Sequence, residues 1–314
     1  MEPVSRTALA ASSAQPQPQP PKRRALPYDR KGITALVVAP HGNGIGVANS
    51  DGSVRLLDPT GTREVRVFEA ENAAPAVGLS FSGDGRRLLG VGRDSVARVW
   101  NVATGARLFT LRGHEHPLRS IAASADGAWV ATSGEETRIF VWDGVTGRLK
   151  RILNGHTDFV NALSMSPNGH LLASGDAAAR VLIWEVATGR LLHVLRGHAN
   201  EVNALAFSGD GRLLASAGED GNVLLWDAAA GHQLPTIPGH RTAVHTIAFA
   251  HDGTLLAGGA QDGMVLLWDV AARTVPQTFP GSNTAVNAVA FDVVSKTRLF
   301  IGNEASQVLS FKVR

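Results

Sequence analysis

Five of the six tryptophans in this 314-residue chain fall on a lattice: Trp100, Trp142, Trp184, Trp226 and Trp268, each 42 residues from the next. A second ladder keeps the same step, with Gly-His at Gly113-His114, Gly155-His156, Gly197-His198 and Gly239-His240. A third consists of turn pairs at Asp84-Gly85, Asp126-Gly127, Asn168-Gly169, Asp210-Gly211 and Asp252-Gly253. A fixed period of about 20–50 residues marks units that bury their apolar surface against one another. The chain is therefore an array of like units, and any candidate site must be judged against that repetition.

Within a unit the pattern is β. Residues 202–227 (VNALAFSGDGRLLASAGEDGNVLLWD) contain three short apolar runs. A Gly-Asp-Gly turn separates the first run from the second at 213–216, and Glu219-Asp220-Gly221 separates that from the third at 223–226. Asp-Gly and Asn-Gly between apolar runs signal tight hairpins, because these residues tolerate positive φ. A fourth run, such as 191–195, precedes each Gly-His, so the unit is a four-stranded antiparallel meander. Thr104-Gly105, Thr146-Gly147 and Thr188-Gly189 are the turns between third and fourth strands. Two degenerate units stand at the ends: residues 33–58, with Leu57 in the tryptophan place, and residues 286–311, with Phe311 there.

With Gly-His near the start and Trp142-Asp143, Trp226-Asp227 and Trp268-Asp269 at the end, these units resemble WD repeats. Trp100-Asn101 and Trp184-Glu185 are variants, and the likeness covers residues 33–314. It implies an all-β, seven-bladed β-propeller of four-stranded antiparallel blades. Because the last unit ends after its third strand, it further implies ring closure by an N-terminal strand, for which residues 24–31 are placed. Pro27 fits an outermost strand whose missing N–H faces solvent. The expected organisation is a disordered Ala/Pro/Gln-rich tail over residues 1–24 and the propeller over 25–314.

Composition narrows the function. Apolar residues make up 44% and charged residues 18%, which suits a globular core. With no cysteine, disulfides, thiolate nucleophiles and Cys-based zinc sites are excluded. The net charge of +3 gives no reason to expect nucleic-acid binding, except through the short basic run Lys22-Arg23-Arg24. No apolar stretch approaches the ~20 residues that span a bilayer. Residues 8–14 (ALAASSA) are not preceded by an apolar signal core, so the expected location is cytoplasmic. A start codon misplaced downstream of a signal leaves a secreted or periplasmic location open.

The histidines invite catalysis or metal binding. The resemblance assigns them instead to buried networks of Asp, His, Ser or Thr, and Trp. The full set is His198, Ser216, Asp220 and Trp226. His114 has Thr132 and Trp142, with Glu136 for the aspartate. His156 has Ser174 and Trp184, with Ala178 in the aspartate place. His240 has Asp262 and Trp268, with Gly258 in the serine place. A constellation that recurs unit after unit reads as structure, since a catalytic centre is needed once. His114-x-His116 lacks a third ligand, so neither a metal nor a cofactor is expected. Trp129, off the lattice, is expected to pack in the core.

In the family, partners engage the face bearing the loops into the first strand and the loops between second and third strands. The first set maps to Pro117, Phe159, Glu201, Ala243 and Ala285. The second maps to Ser50, Arg93, Glu135, Ala177, Glu219, Gln261 and Glu304. Phe159 is the candidate anchor, because binding energy concentrates in aromatic and Arg residues. Glu135, Glu201 and Glu219 form a candidate acidic arc for a basic peptide, with Arg93 and Gln261 beside it. A catalytic propeller would need one blade with an unusual inward-facing His, Asp or Glu, and the sequence shows none. The expected function is a non-catalytic, monomeric scaffold for a protein or peptide partner, with no small-molecule substrate and no membrane. A regulatory or substrate-recruiting subunit of an enzyme complex, or a nucleic-acid-associated protein using its basic N-terminal segment, are the alternatives.

Overall fold

A computed structural model describes residues 32–68, 74–280, 283–294 and 297–313. Among them every regular element is a strand, and the strands form seven antiparallel sheets arranged in a ring. The seven blades cover residues 33–68, 76–111, 118–154, 160–196, 202–233, 244–280 and 286–312. The third shows the plan: Leu118–Ala123 innermost, then Trp129–Gly134, Arg138–Asp143 and Leu149–Asn154 at the circumference. The Asp-Gly and Asn-Gly pairs sit in the hairpins between first and second strands, where Gly85, Gly127, Gly169, Gly211 and Gly253 all have positive φ.

The core is divided among the seams. Seven apolar clusters lie between successive blades, and each contains one residue of the lattice: Leu57, Trp100, Trp142, Trp184, Trp226, Trp268 or Phe311. Trp184, for instance, packs with Leu172 and Leu182 of its own blade and with Ile139, Val141 and Leu153 of the third blade. The ring closes through Ile33, Leu36, Ile45 and Leu57 of the first blade against Ala288, Phe300 and Val308 of the seventh. Asn287 Nδ2 donates to the Ile33 carbonyl at 2.8 Å across the same seam. At the circumference Arg66 donates to the Ala103 and Thr104 carbonyls of the next blade, at 2.7 and 2.9 Å. His193 Nε2 reaches the Ala229 carbonyl in the same way at 3.0 Å.

One departure from the sequence reading concerns an outermost strand. In the fifth blade the fourth strand shrinks to His232–Gln233. Pro235 and Pro238 follow, and proline supplies no N–H for a ladder. In the seventh blade three strands are described, and the expected closing segment, residues 24–31, lies outside the described residues, as does the tail over 1–24. Trp129 is only partly buried, with the Arg151 guanidinium 5.7 Å over its ring.

On one face of the ring, the residue just after each second strand donates its N–H to the carbonyl of the residue just before the first strand. Glu135 to Pro117, Ala177 to Phe159, Glu219 to Glu201 and Gln261 to Ala243 are all 2.9 Å. In blades three and five the strand ends in Gly134 and Gly218, where a Cβ would collide with the Pro117 or Glu201 carbonyl oxygen, whereas blades four and six hold Asp176 and Ala260 at the same place. Gly218→Ala should therefore cost about 1–3 kcal/mol through overpacking against rigid backbone. A urea titration superimposable on that of the unsubstituted protein would disprove the close packing of these loops.

Candidate functional site

The buried networks are the arrangement that most resembles chemistry. In the fifth blade, Trp226 Nε1 donates to Ser216 Oγ (2.8 Å), which lies 2.8 Å from His198 Nε2, while His198 Nδ1 faces the Asp220 carboxylate at 3.0 Å. One proton order satisfies every group: indole N–H to hydroxyl, hydroxyl to Nε2, Nδ1–H to carboxylate. The third blade repeats it through Trp142, Thr132, His114 and Glu136. Burial lowers the His198 and His114 pKa despite the nearby carboxylates, which keeps the imidazoles neutral, as this proton order requires. Thr132, Ser174 and Ser216 have no exposed surface at all. No substrate reaches those hydroxyls, so the triad-like sets are locks.

Two sets differ from expectation. In the fourth blade the carboxylate is supplied not from position 178 but by Asp176, whose Oδ2 lies 2.7 Å from His156 Nδ1. The same oxygen accepts from Arg180 Nη2 at 2.7 Å. Asp176 occupies the place of Gly134 and Gly218, so the carboxylate enters from the strand end and not from the turn. In the sixth blade the set is not assembled. His240 Nε2 bonds the Gly258 carbonyl (3.1 Å), and with no hydroxyl at 258, Trp268 Nε1 turns to the Pro238 carbonyl (2.7 Å). Asp262 is exposed and accepts the Met264 N–H of its own turn. The second blade carries another lock, an ion pair of the buried Arg98 with the partly buried Asp94.

The face carrying both predicted loop sets surrounds the mouth of a central channel, a cavity of about 520 Å³. Each first strand has a β-bulge at its second residue, where the register skips one position. Bulges re-aim side chains. Here they turn Thr34, Arg119, Asn161, Asn203, His245 and Asn287 into the lining of the cavity, with Val77 as the apolar exception. The sequence reading missed this ring. Its signal was a polar residue two places beyond the mapped loop positions, as in PLRS, FVNA, EVNA, AVHT and AVNA. It also missed His245, an inward-facing histidine, whose Nδ1 lies 3.4 Å from Asn287 Oδ1.

The bulge residues and the predicted arc belong together. Arg119 Nη2 donates to Glu135 at 3.0 Å, Asn161 Nδ2 to Glu201 at 3.2 Å and Asn203 Nδ2 to Glu219 at 2.7 Å. The three carboxylates of blades three to five are thus fixed at the channel mouth, and one of them is neutralised by Arg119. Phe159 stands at the seam of blades three and four and is 44% exposed. The N–H of its neighbour Val160 donates to the Glu136 carbonyl across that seam at 3.3 Å. Arg93 and Gln261 are exposed on the same face, on blades two and six, away from the Phe159 seam. Among the described residues no group of three His, Asp or Glu side chains is arranged to hold a metal.

The locks make stability depend on pH. Burial holds His198 and His114 below the ordinary 6.5, so the unfolded chain takes up protons that the folded chain refuses. Their contribution is complete above about pH 6.5 and fades as pH falls below it. Asp220 and Asp176 lie below 3.8, because hydrogen bonds outweigh the opposing effect of burial: those of Ala199 N–H for Asp220, and those of His156 and Arg180 for Asp176. Their share persists until the pH drops through those lowered values. Calorimetry from pH 7 to 5 should show a falling melting temperature, with a smaller slope in a His114→Gln/His198→Gln variant. Asp220→Ala should cost about 1.5–3 kcal/mol at pH 7; unchanged melting would contradict the lock.

A family model, "WD domain, G-beta repeat", matches residues 62–101, 105–143, 147–185, 189–227 and 231–269. Each match begins at the outermost strand of one blade and ends at the lattice tryptophan and its neighbour in the next, so a sequence repeat bridges two sheets. The matches cover more than half of the sequence, and the first and last units of the ring extend the same architecture: the chain belongs to the WD-repeat family of β-propellers.

Proposed function

We propose that this propeller is a non-catalytic scaffold that holds a partner protein on the face around the channel mouth, over blades three to five. WD-repeat propellers are in general protein-interaction scaffolds. The observation that carries the more specific reading is Phe159. It exposes 44% of its surface at a loop position where the other mapped residues are proline, alanine or glutamate. Around it stand carboxylates already fixed by Arg119 and Asn161. A rigid aromatic ringed by preorganised polar groups is what concentrates binding energy in an interface, because little side-chain freedom is lost on contact. The hydroxyl–imidazole–carboxylate sets, buried and repeated, offer no competing catalytic role.

Affinity capture from the native host, with quantitative mass spectrometry, tests the assignment. Phe159→Ala/Arg93→Ala should lose the principal co-purifying protein while keeping the melting curve of the unsubstituted chain. Arg86→Ala/Arg212→Ala, exposed on the opposite face, should retain it. A partner kept by the first variant and lost by the second would move the binding face to the other side of the disc.

A further inference from the structure

We infer that the outer edges of blades two to four form a second docking surface, built to take an extended, acidic segment of a partner protein as an added strand. The surface is separate from the channel-mouth face and goes beyond the scaffold reading above. Charge and exposed apolar surface converge on it. The outer hairpins of these blades, residues 101–112, 143–154 and 185–196, hold seven Lys and Arg against two acids, Asp143 and Glu185, a net +5 where the whole chain nets +3. Arg107, Arg112, Arg148, Lys150, Arg190 and Arg196 are exposed. The same hairpins carry six of the ten large hydrophobic side chains exposed among the described residues: Leu108, Val145, Leu149, Ile152, Leu191 and Val194.

The strands show how a segment would sit there. Arg107–Leu111, Leu149–Asn154 and Leu191–Arg196 are each the last strand of their sheet, so one backbone edge of each has no strand partner among the described residues. An open edge recruits another strand, and proline or charge upon it decides which. The corresponding stretches of blades five and six, 232–238 and 274–280, each carry two prolines and no Lys or Arg. Those of blades two to four carry no proline and keep every N–H. Leu149 pairs opposite Trp142 and Ile152 opposite Phe140, and Leu191 and Val194 repeat this opposite Trp184 and Leu182. Opposite residues share a face of the sheet, so these aliphatics extend the apolar seams outward to solvent. Lys150 and Arg190 have the acids Asp143 and Glu185 at 3.2 and 3.8 Å, and the cationic excess remains after both are counted. That excess disfavours a second copy of this chain, whose edge would bring like charges together. The three hairpins turn with the ring, so a flat anionic bilayer cannot lie along all of them. No exposed aromatic ring stands among them to stack a nucleic-acid base. Carboxylates alternating with aliphatic side chains answer both the cations and the apolar seams.

Titration of the full chain with a capped heptapeptide of alternating Glu and Val tests the inference, with Lys/Val and Glu/Ser heptapeptides as controls. The Glu/Val peptide should bind saturably and about tenfold or more tightly than either control, and added salt should weaken it. Hydrogen exchange should slow at Arg107–Leu111, Leu149–Asn154 or Leu191–Arg196 and at no strand of blades five and six. Arg112→Glu/Arg148→Glu/Arg196→Glu and, separately, Leu108→Ser/Leu149→Ser/Leu191→Ser should each weaken binding about tenfold or more. All six side chains are exposed, so both variants should keep the melting curve. Phe159→Ala/Arg93→Ala should leave peptide binding unaltered. No saturable binding, equal binding of either control, protection confined to other strands, or co-sedimentation with phosphatidylglycerol vesicles in place of peptide binding would overturn the docking edge. So would a dimer in analytical ultracentrifugation that the Leu→Ser variant abolishes. If Phe159→Ala/Arg93→Ala still loses the captured partner in that event, the channel-mouth reading stands and only the edge assignment falls.

Discussion

The seam between neighbouring blades is the interaction on which the molecule depends. A single blade is a thin sheet with two faces to cover, and the ring covers each with the next blade. One large side chain per seam does most of this, from Leu57 through the five lattice tryptophans to Phe311. A buried indole also needs a partner for its N–H. That need explains why a hydroxyl sits ten residues before Trp142, Trp184 and Trp226, and why a histidine and a carboxylate stand behind it. Where the hydroxyl is missing, as at Gly258, the indole takes a backbone carbonyl and the rest of the lock comes apart.

Much of this was legible in the sequence because seam packing imposes a strict period. The seven units, the strand order and the His114 and His198 locks follow from residues at fixed offsets. What escaped did so for identifiable reasons. Asp176 was invisible as a lock residue because the aspartate was sought in the turn, two positions later. The chain also reaches the histidine from the strand end, where blades two, three and five carry glycine. The bulges escaped as well. Alternation predicts that the second residue of a strand faces one side of its sheet, whereas a bulge in every first strand swings it to the channel. Thus the loops of the face were placed correctly from the sequence, and the ring of side chains inside them was not.

Recognition in a repeat protein needs a break in the repetition, since seven equal positions around a circle offer a partner no preferred orientation. Two of the breaks here fall in one sector. Arg119 replaces a rim amide in blade three, where Glu135 of the same blade holds it, and Phe159 replaces a small or acidic loop residue in blade four, whose Asn161 is held by Glu201 from the loop into blade five.

The displaced Asp176 belongs to the same set of breaks. In blades three and five the turn beside the mapped loop must present its own acid, and it does so within Glu135-Glu136 and Glu219-Asp220. In blade four the acid comes from the strand end, so the turn is released from that duty and consists of Ala177-Ala178-Ala179. Ala179 even adopts a left-handed φ of 63°, a conformation that costs a non-glycine residue about 1–2 kcal/mol. The turn's first N–H still bonds the Phe159 carbonyl at 2.9 Å, so the turn tied to the Phe159 loop carries only alanine side chains. Moving one carboxylate two residues inward keeps the His156 lock intact and frees the turn from carrying an acid. The relocated acid and the all-alanine turn beside the exposed Phe159 are therefore two consequences of one rearrangement.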